Sequence, residues 1–282
     1  MRDLRRIGEA LMGEPWAIRP EVHDAMVKQY EVALGGRGPV VPKAAEDGAV
    51  LGFLGDEETA KRPKLEVLNG VGLIRVHGVI GKHLSGLAMA CGGVCLASLD
   101  EQLEEALDME LEDLVMDFRT PGGTCVGGSD TVGRMDELRE AGTRVIGYAD
   151  YECCSMGMYL AAGCTEFHAA PTAQVGSIST FCAGVDDSEA WKEAGVKRVL
   201  VRSGKYKAMG MSGKEWTEDE MAQLQERMEY FDDGFKGYMR ERRGLSEEEM
   251  QGQVWEAQAA PEGVVDSVEF RTLKELLEAV MG

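Results

Sequence analysis

The stretch DYECCSMGMYLAAGCTEFHAAPTAQVGSIS, residues 150–179, organises the rest of this sequence. The apolar, β-branched segment RVIGYA before it predicts a strand, and SMGMYLAAG predicts a helix that ends near Gly163. Ser155 therefore lies where a strand passes into the first turn of a helix. Free backbone N–H groups and the positive end of the helix dipole at such a turn can stabilise an oxyanion. Serine is also a preferred helix cap, so this stretch alone leaves both interpretations open.

Length and charge limit the classes of protein to which the chain can belong. A chain of 282 residues can form one large α/β domain or two small ones. The net charge of −20 argues against nucleic-acid binding and against docking on an anionic membrane, because both rely on Lys and Arg. No apolar run approaches a signal-peptide core or a membrane span, so we expect a cytoplasmic protein with no membrane partner.

The seven cysteines are scattered and form no CxxC pair. Most lie in apolar surroundings, which favours reduced thiols in the protein core. A metal site built from Cys91, Cys95 and a histidine is the alternative, but the spacing of these residues does not support it.

The chain divides into two regions. Residues 1–65 are predicted to form an N-terminal arm or lid with little structure of its own beyond one short helix within PWAIRPEVHDAMVKQYEVAL. Residues 66–282 form the main domain. Its strands are predicted at residues 71–80, 113–118, 144–149, 166–169, 174–178 and 197–202. Its helices are predicted after a Ser98/Glu101 capping box, at 129–142 and 188–194, from a Thr217/Glu220 capping box to 243, and at 273–282. This alternation predicts an α/β fold with a mostly parallel sheet.

Two further segments could carry chemistry together with Ser155. TPGG, residues 120–123, follows a strand, and its glycines would let backbone N–H groups approach a ligand, although a tight turn would need them too. A nucleophilic serine also needs a base, and none of the four histidines has an obviously catalytic setting. SGKYKAMG, residues 203–210, offers Lys205 and Lys207 instead. A lysine acts as a base only when it is neutral.

The motifs GVI, TPGG, CSMGMYLAAGCTEFHAAPTAQVGSIS, RSGKYKAMG and EAQAAPEGVVDSV occur in that order. This order resembles the signal peptide peptidase A family of serine peptidases, and most closely its phage capsid maturation proteases and their prophage relatives. The resemblance covers about residues 68–270. It implies a crotonase/Clp-protease-like fold, with repeated β-β-α units and helices packed around a mostly parallel sheet.

The resemblance also implies roles for individual residues. Ser155 matches the nucleophile of a Ser–Lys dyad, and Lys207 matches the general base, with Lys205 as the nearest other candidate. Ser177 in VGSIS matches the hydroxyl that orients the lysine. No metal or cofactor is implied.

The oxyanion hole implied by the resemblance consists of the loop at Gly122 and Gly123 and the backbone N–H of Met156. Met156, Met158 and Ser179 depart from the residues usual in the family. Because these positions would shape the substrate pocket, the resemblance does not carry specificity over to this chain.

Several alternatives stand beside this interpretation. The Clp proteolytic subunit has a similar nucleophile helix, but its base is a histidine roughly 25 residues after the serine, where this chain has GSISTFCAG. A non-catalytic assembly module and an acyl-CoA enzyme could share the fold. The expected partners are polypeptide substrates and other copies of the chain in a homo-oligomer. Phage scaffold and portal proteins, processed in the host cytoplasm or prohead, would be such substrates. A soluble bacterial peptidase is the near alternative.

Overall fold

The computed structural model describes residues 15–33, 64–84 and 92–282. The described part of the predicted arm contains a short strand, β1 (Trp16–Ile18), and the predicted helix, α1 (Pro20–Ala33). The rest of the arm and Cys91 lie outside the described residues. Among the helices of the described ranges, none is both long and apolar enough to cross a membrane.

The larger sheet forms the centre of the main domain. Its strands are β2 (Glu66–Leu68), β3 (Val71–His77), β6 (Asp113–Thr120), β8 (Arg144–Cys154), β9 (Glu166–Ala169), β10 (Gln174–Gly176) and β11 (Val254–Glu256). They follow the order β11-β10-β8-β6-β3-β2, and β9 also pairs with β8. Every pair is parallel except β2–β3 and β10–β11 at the two edges. The predicted mostly parallel sheet is confirmed.

A smaller sheet lies beside the carboxyl ends of these strands. It contains β4 (Ile80–Gly81), β5 (Val94–Cys95) and β7 (Gly122–Thr124), with β1 as an edge strand, in the order β1-β7-β4-β5. The chain repeats one pattern: a strand of the larger sheet (β3 or β6), then the smaller sheet (β4 and β5, or β7), and then a helix. These β-β-α units confirm the crotonase/Clp-protease-like fold.

Helices cover both faces of the larger sheet, as a buried parallel sheet requires. The helices after α1 are α2 (Leu96–Asp108), α3 (Gly128–Glu140), α4 (Met156–Ala161), α5 (Ser188–Glu193), α6 (Glu218–Arg243) and α7 (Leu273–Met281). Alternate residues of β6 belong to two hydrophobic cores on opposite faces of the sheet. Met116 lies in the core that contains residues of α2, α3 and α4, and Val115 lies in the core that contains Leu276 of α7. The Thr217/Glu220 capping box at the start of α6 is confirmed.

The predicted Ser98/Glu101 capping box is wrong. Helix α2 begins at Leu96, directly after β5, and Cys95 occupies the cap position. Ser98 lies in the first turn and is buried. The preceding strand determines where this helix begins, so the local capping signal at Ser98 has no effect.

The predicted strand at residues 197–202 is also wrong, because this segment has no regular secondary structure. Its apolar side chains point into solvent: Val199 is 79% exposed and Val201 is 93% exposed. The β-branched alternation is present in the sequence, but no neighbouring strand pairs with the segment within the described ranges. A strand needs such a partner to satisfy its backbone hydrogen bonds.

Candidate active site

Ser155 occupies a strained turn between β8 and α4. Strand β8 runs five residues further than predicted, to Cys154, and delivers Ser155 directly to the helix. Ser155 has φ 55° and ψ −114°, and its N–H donates to the Gly176 carbonyl at 2.7 Å. A non-glycine residue in such a conformation costs about 1–3 kcal/mol, and such residues cluster at active sites.

The Ser155 hydroxyl is buried and has no hydrogen-bond partner among the described residues. Its side chain makes no capping bond to the first turn of α4, so Ser155 does not act as a helix cap. A buried hydroxyl without a partner is unfavourable for stability and is rare in folded proteins. The strain and the unpaired hydroxyl together indicate a functional serine.

Ser177 lies beside Ser155 because their strands are neighbours. Strands β8 and β10 are parallel, with Cys154 opposite Gly176, so the two serines occupy the next position on adjacent strands. Ser177 also has a positive φ, 54°, and its N–H donates to the Gln253 carbonyl. Two serines 22 positions apart in the sequence therefore lie side by side at the carboxyl ends of adjacent strands.

The TPGG loop lies on the other side of Ser155. A Cβ atom added to Gly122 would be 2.8 Å from the Ser155 Cβ and 3.0 Å from the Cys154 carbonyl oxygen, so only glycine fits there. The Gly122 N–H donates to Thr120 Oγ1 at 3.1 Å, and that hydroxyl donates to the Gly78 carbonyl at 2.7 Å. The structure thus places the predicted oxyanion loop against the predicted nucleophile.

Gly123→Ala is expected to destabilise the protein by about 1–3 kcal/mol, because the added Cβ has no room. It would lie 2.0 Å from the Ile80 carbonyl oxygen, which belongs to the paired strand β4 and cannot move away independently. Urea denaturation followed by circular dichroism measures the change.

The matched control is Gly133→Ala on α3, where an added Cβ meets nothing within 4 Å. A helical Gly→Ala change there should stabilise by about 0.5–1 kcal/mol. Equal effects of the two substitutions would contradict the tight packing assigned to the TPGG loop.

Met156, the residue after Ser155, lines a cavity of about 600 Å³. Cys125, Tyr159, Phe231 and Phe235 contribute to its mostly apolar wall. Burial raises the pKa of the Cys125 thiol to about 12, so this cysteine is not a nucleophile at neutral pH. The cavity has the size and polarity to hold an apolar side chain.

The structure does not bring Lys207 to Ser155 within one copy of the chain. The Lys207 side chain is exposed, and the unpaired Ser155 hydroxyl shows that no lysine of the described ranges bonds to it. Lys205 pairs with Asp219 at 2.7 Å, and the hydrogen bond that Lys205 donates to this carboxylate raises the pKa of Lys205. Lys205 is therefore less suited than a free lysine to act as a neutral base.

Lys236 is a buried lysine, and burial is a property expected of a lysine that acts as a neutral base. Burial favours its neutral form, but hydrogen bonds to Asp232 at 2.8 Å and Glu247 at 2.7 Å outweigh this, and the pKa of Lys236 is raised. A lysine held between two carboxylates stays charged. Lys236 is thus a structural ion-pair residue.

Glu220 bonds to both ends of residues 202–214, the segment that carries Lys207. Its buried carboxylate accepts hydrogen bonds from Arg202 at 2.7 Å and from Lys214, and Arg202 also donates to the Lys207 carbonyl at 3.0 Å. Burial alone would raise the pKa of Glu220, but the bonds from Lys214 and Arg202 lower it to about 2. The predicted general base is therefore anchored to the start of α6.

Glu220→Gln is expected to reduce stability at pH 7 by about 2–4 kcal/mol, because it leaves Arg202 and Lys214 without their carboxylate. The pKa in the folded state, about 2, lies below the ordinary value of 4.5, so the ionised carboxylate stabilises the fold above the latter pH. This contribution is lost as the pH falls from about 4.5 towards about 2. Urea midpoints of wild type and variant should converge between pH 7 and pH 3. Glu218→Gln, at an exposed position of the same first turn, should show little difference at any pH.

One segment beside the site was not anticipated from the sequence. Strand β1 pairs with β7, next to Gly122 and Gly123. The only local signal is the short β-prone run WAI between two prolines, which is too brief to predict a strand or its partner.

Comparison with known families matches residues 137–279 to the model of Peptidase family S49. The match spans just over half of the chain and includes Ser155, Ser177 and Lys207. It does not reach Gly122 and Gly123, whose assignment rests on the TPGG motif and on their position against Ser155. A search of curated proteins finds no match.

Proposed function

The chain belongs to peptidase family S49 and is a serine peptidase; from this premise we propose that it is an endopeptidase in which Ser155 and Lys207 form a catalytic dyad. The observation that carries the proposal is the Ser155 turn. Its hydroxyl is buried and unpaired, its backbone is strained, and it lies between Ser177 and the TPGG loop.

The reaction is hydrolysis by acyl transfer. Neutral Lys207 takes the proton of the Ser155 hydroxyl, and the Ser155 oxygen attacks the carbonyl carbon of the scissile peptide bond. Backbone N–H groups of the TPGG loop and Met156 donate to the tetrahedral oxyanion. Lys207 gives its proton to the leaving amine as the C–N bond breaks. A water molecule, deprotonated by the same lysine, then releases the acyl group and restores Ser155.

Lys207 reaches Ser155 from a neighbouring copy of the chain in this proposal. The segment around it is exposed and carries apolar side chains in solvent, among them Val199, Val201 and Tyr206. Contiguous exposed apolar side chains mark surfaces that bind other proteins. A homo-oligomer would cover these side chains and would transfer Lys207 into a less hydrated site, where its neutral form is favoured. Ser177, next to Ser155, then orients the incoming amine.

The substrates are polypeptides, and the apolar cavity beside Met156 receives one of their apolar side chains. Within the family, the five sequence motifs favour a phage capsid maturation protease that processes scaffold and portal proteins in the host cytoplasm or prohead. Purified scaffold and portal proteins should be cleaved at defined sites. Preferential cleavage of isolated signal peptides would favour the bacterial signal-peptide-peptidase-like alternative instead.

Labelling with a fluorophosphonate probe tests the nucleophile. Intact-protein mass spectrometry should show a single adduct on wild type, located at Ser155 by peptide mapping, and none on Ser155→Ala. The matched control, Ser129→Ala, removes an exposed hydroxyl that borders the same cavity and should label like wild type. An adduct that persists on Ser155→Ala would refute the assignment of the nucleophile.

A further inference from the structure

Strand β1 is inserted between two parts of the main domain. On one side it is antiparallel to β7, with Ala17 opposite Gly123, and the Arg19 N–H donates to the Pro121 carbonyl at 3.0 Å. On the other side Trp16 and Phe181 exchange two backbone hydrogen bonds of 2.9 Å. Residues 16–18 are buried as completely as the core of the domain.

The inserted strand and Ser155 both border Gly122. A Cβ atom placed on Gly122 would be 2.3 Å from the Ala17 carbonyl oxygen and 2.8 Å from the Ser155 Cβ. A backbone carbonyl of the arm and the catalytic serine thus approach the same small volume beside the TPGG loop. Ser155 is fully buried, and β1 is one of the segments next to it.

We propose that β1 occupies the groove in which a substrate peptide lies, so that the chain's own N-terminal arm blocks its active site. The proposal rests on Ser155 being the nucleophile, as proposed above. Proteins commonly bind extended peptides by strand addition, in which main-chain hydrogen bonds hold the peptide whatever its side chains. The bonds of β1 to β7 and to Phe181 are of this kind, so a substrate strand can replace β1 without any change in the groove.

Side chains fix the arm at both ends of the inserted strand. Arg19 donates to Glu152 at 3.2 Å and to Gln174 at 2.6 Å, both on strands of the larger sheet. At the other end the His23 ring packs edge-on against the rings of Trp16 and Phe181. None of these contacts is covalent, so the blocked state is reversible.

Access to position 155 tests the proposal in the full chain, without any need for hydrolysis. Ser155→Cys is combined with Ala17→Asp, which buries an unpaired carboxylate in β1 and should expel the strand. We expect iodoacetamide to modify the introduced thiol at least about tenfold faster than in Ser155→Cys alone, because the groove no longer needs to open locally first. Ala25→Asp, the same change at an exposed position of α1, is the matched control and should have no effect.

Two further measurements make the result decisive. Arg19→Ala removes the bonds to Glu152 and Gln174 and is milder than Ala17→Asp, so it should give a smaller acceleration in a folded protein. A synthetic peptide PWAIRP, residues 15–20, should slow the modification again in the Ala17→Asp background. Equal rates in all folded variants, or no effect of the peptide, would overturn the proposal. Alkylation of the introduced thiol does not depend on peptide hydrolysis. If Ser155 were not the nucleophile, the groove would still open in these variants, while the wild-type protein would fail to hydrolyse peptides.

Discussion

Ser155→Ala and Lys207→Ala are each expected to lower kcat/KM for peptide hydrolysis by about 10⁴-fold, and the double variant by no more than either single one. The two groups act as one unit, since a serine without a base and a base without a nucleophile are equally inactive. Initial rates on a fluorogenic peptide measure all three variants. Circular dichroism establishes that each variant is folded.

The control for Lys207 is its neighbour Lys205. Lys205→Ala removes an exposed ion pair with Asp219, which should change activity by less than about threefold, because surface ion pairs contribute little. A large loss in Lys205→Ala with little change in Lys207→Ala would reverse the assignment of the base. Activity that survives in Ser155→Ala would refute the proposed Ser155–Lys207 dyad.

Co-expression of Ser155→Ala with Lys207→Ala is expected to restore about a quarter of wild-type activity, although each variant alone is inactive. The reason is that Lys207 is exposed and does not contact the buried Ser155 of its own copy. If each site takes its serine from one copy and its lysine from a neighbour, about one site in four of a random mixed assembly has both. The co-expressed mixture is assayed on the fluorogenic peptide before the differently tagged copies are purified in tandem, because that purification discards assemblies of one variant only and raises the fraction of complete sites.

The control for complementation pairs Ser155→Ala with the double variant Ser155→Ala/Lys207→Ala, which supplies no intact serine. This assembly should stay inactive. Co-purified assemblies of the two single variants that also stay inactive would show that Lys207 acts within its own copy, after the segment anchored by Glu220 has moved. Native mass spectrometry establishes that the differently tagged copies are in one assembly.

According to these proposals, a single copy of the chain is inactive for two reasons. The described chain has no base bonded to Ser155, and β1 fills the groove beside it. We therefore expect hydrolysis only when copies have assembled and a substrate strand has displaced the arm. This arrangement suits a protease that must stay inactive until its substrates are gathered around it.

The sequence by itself determined the features that depend on neighbouring residues. The strand-to-helix turn at Ser155 follows from a β-branched run joined to small, helix-compatible residues, and the start of α6 follows from Thr217 and Glu220 three positions apart. The alternation of strands and helices predicted an α/β fold with a mostly parallel sheet, and the family resemblance implied its β-β-α units.

Only the tertiary structure decided the features that depend on distant partners. Residues 197–202 have the composition of a strand but pair with no strand in the part of the chain that the structure describes. Trp16–Ile18, a much shorter run, becomes a buried strand because β7 and Phe181 bond to both of its edges. The order of the motifs likewise does not predict that Lys207 is separated from Ser155 within one copy of the chain. The physical reason is common to all three: a backbone hydrogen bond or a catalytic contact needs both partners, and local sequence specifies only one of them.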